Sequence, residues 1–214
     1  MNGQLEHQIR PAAGEPEGAL VLLHGRGVNM FDLLPLANEL DPQRRLVAVT
    51  PQAPLELSPG SFHWYVVERV GYPHAETFWS THALLAEFLD SLPERIGVPW
   101  QRTVLGGFSQ GAVMSYALGL GAGRAHPRGV LAFSGFIPQV DGFELADDLD
   151  GYPVAIGHGT LDPVISVEFG RAARATLEAK GCDVVYDESP VPHTIDPRFL
   201  LVARDWVAEL LSPA

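Results

Sequence analysis

Residues 103–111 read Thr-Val-Leu-Gly-Gly-Phe-Ser-Gln-Gly: an apolar, β-prone run, a serine with a glycine two residues to either side, and the start of a helix-forming stretch. No other segment narrows the fold as much. A serine at a sharp strand-to-helix turn holds a strained, exposed backbone position, and Gly107 and Gly111 remove the Cβ atoms that would collide with neighbouring chain. Such a turn needs a buried strand before it and a helix after it. The helix expected over residues 111–120 directs its N-terminus at Ser109, where free N–H groups stabilise developing negative charge.

The same alternation runs along the chain. Short apolar runs suited to buried parallel strands occur at residues 18–23, 45–50, 131–134, 153–157 and 183–186, and residues 5–10 add an edge strand. Between them, residues 31–40, 75–92, 166–180 and 198–211 place apolar residues at helical spacing. These are βα units around a mostly parallel central sheet flanked by helices, with no repeat and no low-complexity segment. At 214 residues and 46% hydrophobic content the chain can bury one sizeable core, so residues 1–214 are read as a single domain.

A serine nucleophile needs a base, and the base needs an acid that fixes its tautomer. Past the run at 153–157 lies Gly157-His158-Gly159-Thr160-Leu161-Asp162-Pro163-Val164, and past the run at 183–186 lies Pro190-Val191-Pro192-His193-Thr194. Ser109, Asp162 and His193 thus follow one another in an order that loops at the carboxyl ends of parallel strands can bring to one point. Glu188 and Asp196 would have to fold back sharply to reach His193, and His158 as the base would reverse the order, so all three are read as structural. Two backbone donors for an oxyanion are expected from the N–H of Gln110 and, after the strand at 18–23, from the N–H of Arg26 in His24-Gly25-Arg26-Gly27-Val28-Asn29.

The His-Gly-x-Gly-x-Asn turn, the Gly-Phe-Ser-Gln-Gly elbow, the His-Gly-x-x-Asp-Pro-Val segment and the Pro-His-x-Ile segment together resemble the phospholipase/carboxylesterase family, the small carboxylesterases and acyl-protein thioesterases. The likeness spans residues 18–200, and four motifs in order are far more specific than any one. It implies an α/β-hydrolase fold without a large cap domain and a cofactor-free serine hydrolase of small-molecule esters or thioesters. Ser109 would be the nucleophile, Asp162 and His193 would complete a triad, and Arg26 and Gln110 would form the oxyanion hole. Two positions depart from the family pattern: Ala112 stands where a second glycine is common, and Arg26 puts a cation where many members have an uncharged residue. Lysophospholipase, lactonase or perhydrolase activity on the same triad, or a non-catalytic binding scaffold, are the competing readings.

Charge and composition exclude other classes. A formal net charge of −12 disfavours nucleic acid and anionic membrane surfaces as partners. The amino-terminal residues have neither a cationic start nor an apolar core, and no apolar run is long enough to span a bilayer, so cytoplasmic residence without stable membrane association is expected. The single cysteine, Cys182, reads as a core residue, and no metal-ligand spacing occurs among the histidines. Two long connections remain. Residues 51–73 carry Phe62, Trp64, Tyr65 and Tyr72, which either line an acyl pocket or anchor the loop; residues 138–152 carry five acidic side chains and read as solvated surface. The physiological acyl and leaving groups and a homodimeric state are left open.

Overall fold

The structure, a computed structural model, describes residues 5–212. Along the chain run β1 (His7–Arg10), β2 (Gly18–Leu23), α1 (Leu34–Leu40), β3 (Leu46–Pro51), β4 (Leu55–Ser58), β5 (Ser61–His63), β6 (Val67–Arg69), β7 (Tyr72–Pro73) and α2 (Ala75–Ile96). A 3₁₀ turn at Trp100–Arg102 leads into β8 (Thr103–Phe108), α3 (Gln110–Leu120), β9 (Gly129–Phe133), β10 (Pro153–Gly159), α4 (Val167–Ala179), β11 (Asp183–Ser189) and α5 (Pro197–Leu211). Seven strands form one sheet in the order β1-β3-β2-β8-β9-β10-β11. The edge strand β1 is antiparallel to β3, and every other pairing in this sheet is parallel.

Every residue of β2, β3 and β9 is buried, because helices cover both faces. The two-residue side-chain period of β2 sorts its apolar residues between layers: Ala19, Val21 and Leu23 pack with α2 and α3, whereas Leu20 and Leu22 pack with α1 and α5. The chain leaves β2 towards β3 in one direction along the sheet and leaves β8 towards β9 in the other. Neighbouring strands whose connections diverge open a crevice at their carboxyl ends, which here lies between the turn at residues 24–29 and Ser109.

Element ends differ from expectation for local reasons. Helix α1 begins at Leu34 because Pro35 fits its first turn, while residues 31–33 form turns before it. Helix α2 continues past Pro93 to Ile96, since the proline falls in the last turn and the N–H of Gly97, a left-handed cap, returns to the Pro93 carbonyl. Strands β10 and β11 extend two residues beyond Gly157 and three beyond Tyr186, through His158↔Glu188 and Gly159↔Ser189. Residues 51–73 are not an irregular loop: they fold into the hairpins β4–β5 and β6–β7, each turning at a glycine with positive φ, Gly60 and Gly71. The acidic residues of 138–152 are exposed.

Candidate active site

Ser109 sits between β8 and α3 at φ 57°, ψ −119°, a region that non-glycine residues rarely adopt. Its N–H donates to the Phe133 carbonyl at 2.9 Å, tying the turn to β9. A Cβ on Gly111 would lie 1.8 Å from the Leu23 carbonyl oxygen, and one on Gly107 would lie 2.5 Å from the Gly111 carbonyl carbon. Only glycine at both positions lets the turn after β8 press against the end of β2.

From Ser109 a chain of hydrogen bonds runs inward. Its Oγ lies 3.0 Å from His193 Nε2, and His193 Nδ1 lies 2.6 Å from Asp162 Oδ2. The other carboxylate oxygen, Oδ1, accepts the N–H groups of Val164 and Ile165, both at 2.8 Å, so the side chain cannot rotate freely. The Asp162 side chain is fully buried, the imidazole 17% exposed, and Phe108 packs against the ring at 4.7 Å. A carboxylate held this way keeps the proton on Nδ1 and leaves Nε2 to accept from the serine.

The alternative groups are engaged elsewhere. Glu188 receives two hydrogen bonds from Arg171 and one from the Tyr186 hydroxyl, and Arg171 holds its carboxyl below the usual range. Asp196 caps α5 through the Arg198 N–H and pairs with the Arg198 guanidinium, which pushes its pKa down. His158 Nε2 donates to the Ile165 carbonyl at 2.8 Å and lies 3.7 Å from Asp162 Oδ2, which places it beneath the acid; burial lowers its pKa and favours the neutral ring.

Arg26 and Gln110 line the same cleft as Ser109 and His193, and their N–H groups have no hydrogen-bond partner among the described residues. Four side chains hold the turn that carries Arg26. His24 is buried, accepts the Ala53 N–H at Nε2 and therefore donates from Nδ1 to the Gly25 carbonyl at 2.7 Å; burial takes its pKa down to about 4. Trp64 Nε1 donates to the His24 carbonyl at 2.7 Å. Asn29 binds the Gly60 carbonyl, and the Gln110 side chain accepts the Trp64 N–H at 3.0 Å while donating to the Tyr65 carbonyl at 2.9 Å. Gly27, at φ 91°, donates its N–H to the Phe62 carbonyl.

A cleft of about 300 Å³ opens over Ser109, Gln110 and His193, walled by Tyr65, Val67, Val70, Phe136, Val164 and Ile165, with Arg26 at its edge. On the other side of His193 a groove of about 220 Å³ runs over Asp32, Leu33, Phe108 and Ile195. Among the described residues no group of three or more His, Cys, Asp or Glu could hold a metal ion, and no helix is long and apolar enough to cross a membrane.

The sequence profile of the phospholipase/carboxylesterase family matches residues 5–211. The chain belongs to this family. It is 30% identical over 184 residues to acyl-protein thioesterase 1 of Candida albicans, covering 75% of this chain and 78% of that one. Among solved structures, the Bacillus cereus carboxylesterase superposes with a TM-score of 0.84 at 25% identity, covering 98% and 96% of the two chains. Esterase PE8 does so with a TM-score of 0.79 at 27% identity, covering 97% and 99%. The fold is the α/β-hydrolase fold of these carboxylesterases.

Against the family pattern, the methyl group of Ala112 is accommodated by Gly135: a Cβ there would lie 2.5 Å from that of Ala112. The three expected aromatic contacts divide. Tyr65 borders the cleft, but Trp64 is fully buried beneath the Arg26 turn, and Phe62 packs against the core and pairs with Val28 without lining the cleft. Both are corrected to anchoring roles, because the hairpin bonds that hold residues 61–64 direct these rings inward. Four walls of the cleft, Val67, Val70, Phe136 and Ile165, were not singled out by sequence: isolated apolar residues carry no signature until the hairpin β6–β7 and the loop after β10 are seen to line one cleft.

Proposed function

We propose that the protein is a serine hydrolase that cleaves carboxylic esters and thioesters through an acyl-enzyme on Ser109. The reading rests on one observation, the hydrogen-bond chain Ser109–His193–Asp162 beside two unpaired N–H groups at the floor of an apolar cleft. Family membership, with carboxylesterases and an acyl-protein thioesterase among the relatives, points the same way.

In this mechanism Ser109 Oγ attacks the substrate carbonyl carbon as His193 Nε2 takes its proton. The carbonyl oxygen becomes an oxyanion that accepts the Arg26 and Gln110 N–H groups, and Asp162 stabilises the imidazolium. The bond from carbon to the leaving oxygen or sulfur breaks as His193 returns the proton to it. Water then repeats the sequence on the acyl-serine, releasing the acid. Labelling with a fluorophosphonate probe and hydrolysis of p-nitrophenyl esters test this together. Ser109→Ala should abolish labelling and lower turnover by about 10⁶, as for other triad nucleophiles. Ester hydrolysis by the Ser109→Ala protein at near its original rate refutes the proposal.

A further inference from the structure

The chain is strongly acidic, and almost all of its fourteen lysine and arginine side chains have a partner within the fold. Most stand against carboxylates, as Arg10 does with Asp41, Arg124 with Asp90 and Lys180 with Asp147. Arg44, Arg102 and Arg128 bind main-chain carbonyls, Arg95 the His7 ring, and Arg69 lies over the Tyr72 ring at 3.6 Å. Arg26 alone has no carboxylate, carbonyl or ring partner among the described residues. It is exposed, and it is the one permanently charged residue bordering the cleft over Ser109.

We propose that Arg26 is a recognition group for substrates carrying one anionic group, a carboxylate in the plainest case, on a short apolar body. This rests on the ester-hydrolase reading above and names its substrate class. The cleft provides the apolar half through Tyr65, Val67, Val70 and Phe136, and about 300 Å³ matches a short chain. Arg26 provides the polar half, and its planar guanidinium suits a carboxylate in bidentate contact. Position supplies a ruler as well: the same residue offers its main-chain N–H to the scissile carbonyl oxygen, so the anionic group lies one arginine side-chain length away. Elsewhere the net charge of −12 repels anions, so an unpaired cation at the reacting centre selects for them locally.

Two matched pairs of substrates locate the charge. p-Nitrophenyl hydrogen adipate against p-nitrophenyl hexanoate puts it on the acyl side; 4-acetoxybenzoate against its methyl ester puts it on the leaving side. In at least one pair, Arg26→Gln should lower the anionic-to-neutral ratio of kcat/KM about tenfold, as expected of a charge-assisted contact partly screened at an exposed edge. Arg26→Lys should fall between, and Arg26→Glu below Arg26→Gln. A second readout needs no turnover: calorimetric binding of adipate monoamide to Ser109→Ala, with and without Arg26→Gln, should weaken by a similar factor. A fall in either readout supports the assignment, whereas ratios and affinities that stay within about twofold overturn it. Absence of turnover on all four esters in the unmodified protein would instead refute the Ser109 reading, and calorimetry would still decide the role of Arg26.

Discussion

Gln110 offers the sharpest test of how the site is held, because its main chain and its side chain do different work. The side chain is buried and spans from α3 to the segment before β6, accepting the Trp64 N–H and donating to the Tyr65 carbonyl. Both partners lie in buried residues, Trp64 at 0% and Tyr65 at 2% exposure. Gln110→Ala strands the buried Trp64 N–H, at about 1–3 kcal/mol, and removes one of two bonds to the Tyr65 carbonyl, which keeps His63 Nδ1–H, at about 0.5–1.5 kcal/mol, for a total of about 1.5–4.5 kcal/mol. In a domain of this size each kcal/mol moves Tm by about 2–4 °C, so a fall of about 10 °C is expected by thermal melting, with a matching shift in the urea midpoint. Alanine keeps the main-chain N–H, so kcat should fall less than the 10²–10³ that follows loss of an oxyanion donor. Gln110→Glu should be no better, since its second oxygen would face the Tyr65 carbonyl. Two outcomes would refute the reasoning: a Gln110→Ala protein within about 0.5 kcal/mol of the original, or a thousandfold loss of kcat at unchanged stability.

Two further outcomes are expected. Asp162→Asn should lower turnover by about 10⁴ with the fold retained, because an amide favours the wrong imidazole tautomer; a larger loss in Glu188→Gln or Asp196→Asn would transfer the acid's role to that residue. Because His24 is neutral when folded, with a pKa of about 4 against an unfolded value near 6.5, the unfolded chain binds the extra proton between these values. The contribution of His24 is therefore complete above about pH 6.5 and is lost as pH falls towards 4, about 2 kcal/mol of it between pH 7.5 and pH 5, and His82, which burial also takes down to about 4, adds a loss in the same window. Urea unfolding of the original and His24→Asn proteins at the two pH values isolates the His24 contribution, and an equal loss in both would show that His24 is not buried in neutral form.

What could be read in advance followed from residues whose chemistry is tied to backbone geometry. Gly107 and Gly111 announced the turn at Ser109, and the order of Asp162 and His193 on loops after successive apolar runs anticipated that both side chains meet Ser109. Side chains that act by burial were opaque. Trp64 stayed open between pocket lining and loop anchor because an aromatic ring in a long connection gives no sign of whether it faces inward, and only its bond to the His24 carbonyl decides that. The hairpin β4–β5 does carry a local signal, since Pro59-Gly60 separates its strands by two residues, but the polar character of the flanking strands obscures it. The side chain of Gln110 was invisible for a different reason. Its two partners are main-chain groups forty-five and forty-six residues away, and main-chain partners leave no trace in residue identity.

The topology explains why so few residues suffice. The turn after β2 carries one unpaired N–H, the turn after β8 carries Ser109 and the other, and the contact of Gly111 with the Leu23 carbonyl locks the two turns together. Backbone strain of about 1–3 kcal/mol at Ser109 is thereby held in place by packing around it. The loops after β10 and β11 deliver the other half, and there Asp162 divides its oxygens: Oδ1 is fixed by two N–H groups of its own loop, and Oδ2 faces His193. His158, beneath them, binds the Ile165 carbonyl while Asp162 takes the Ile165 N–H, so one residue is gripped from both sides. Because Ile165 also walls the cleft, the Asp162 carboxylate beside His193 and one wall of the cleft over Ser109 are built on the same loop. Loosening the loop after β10 should therefore disturb substrate fit and imidazole orientation together, and a variant there that raised KM without touching kcat would show the two to be separable.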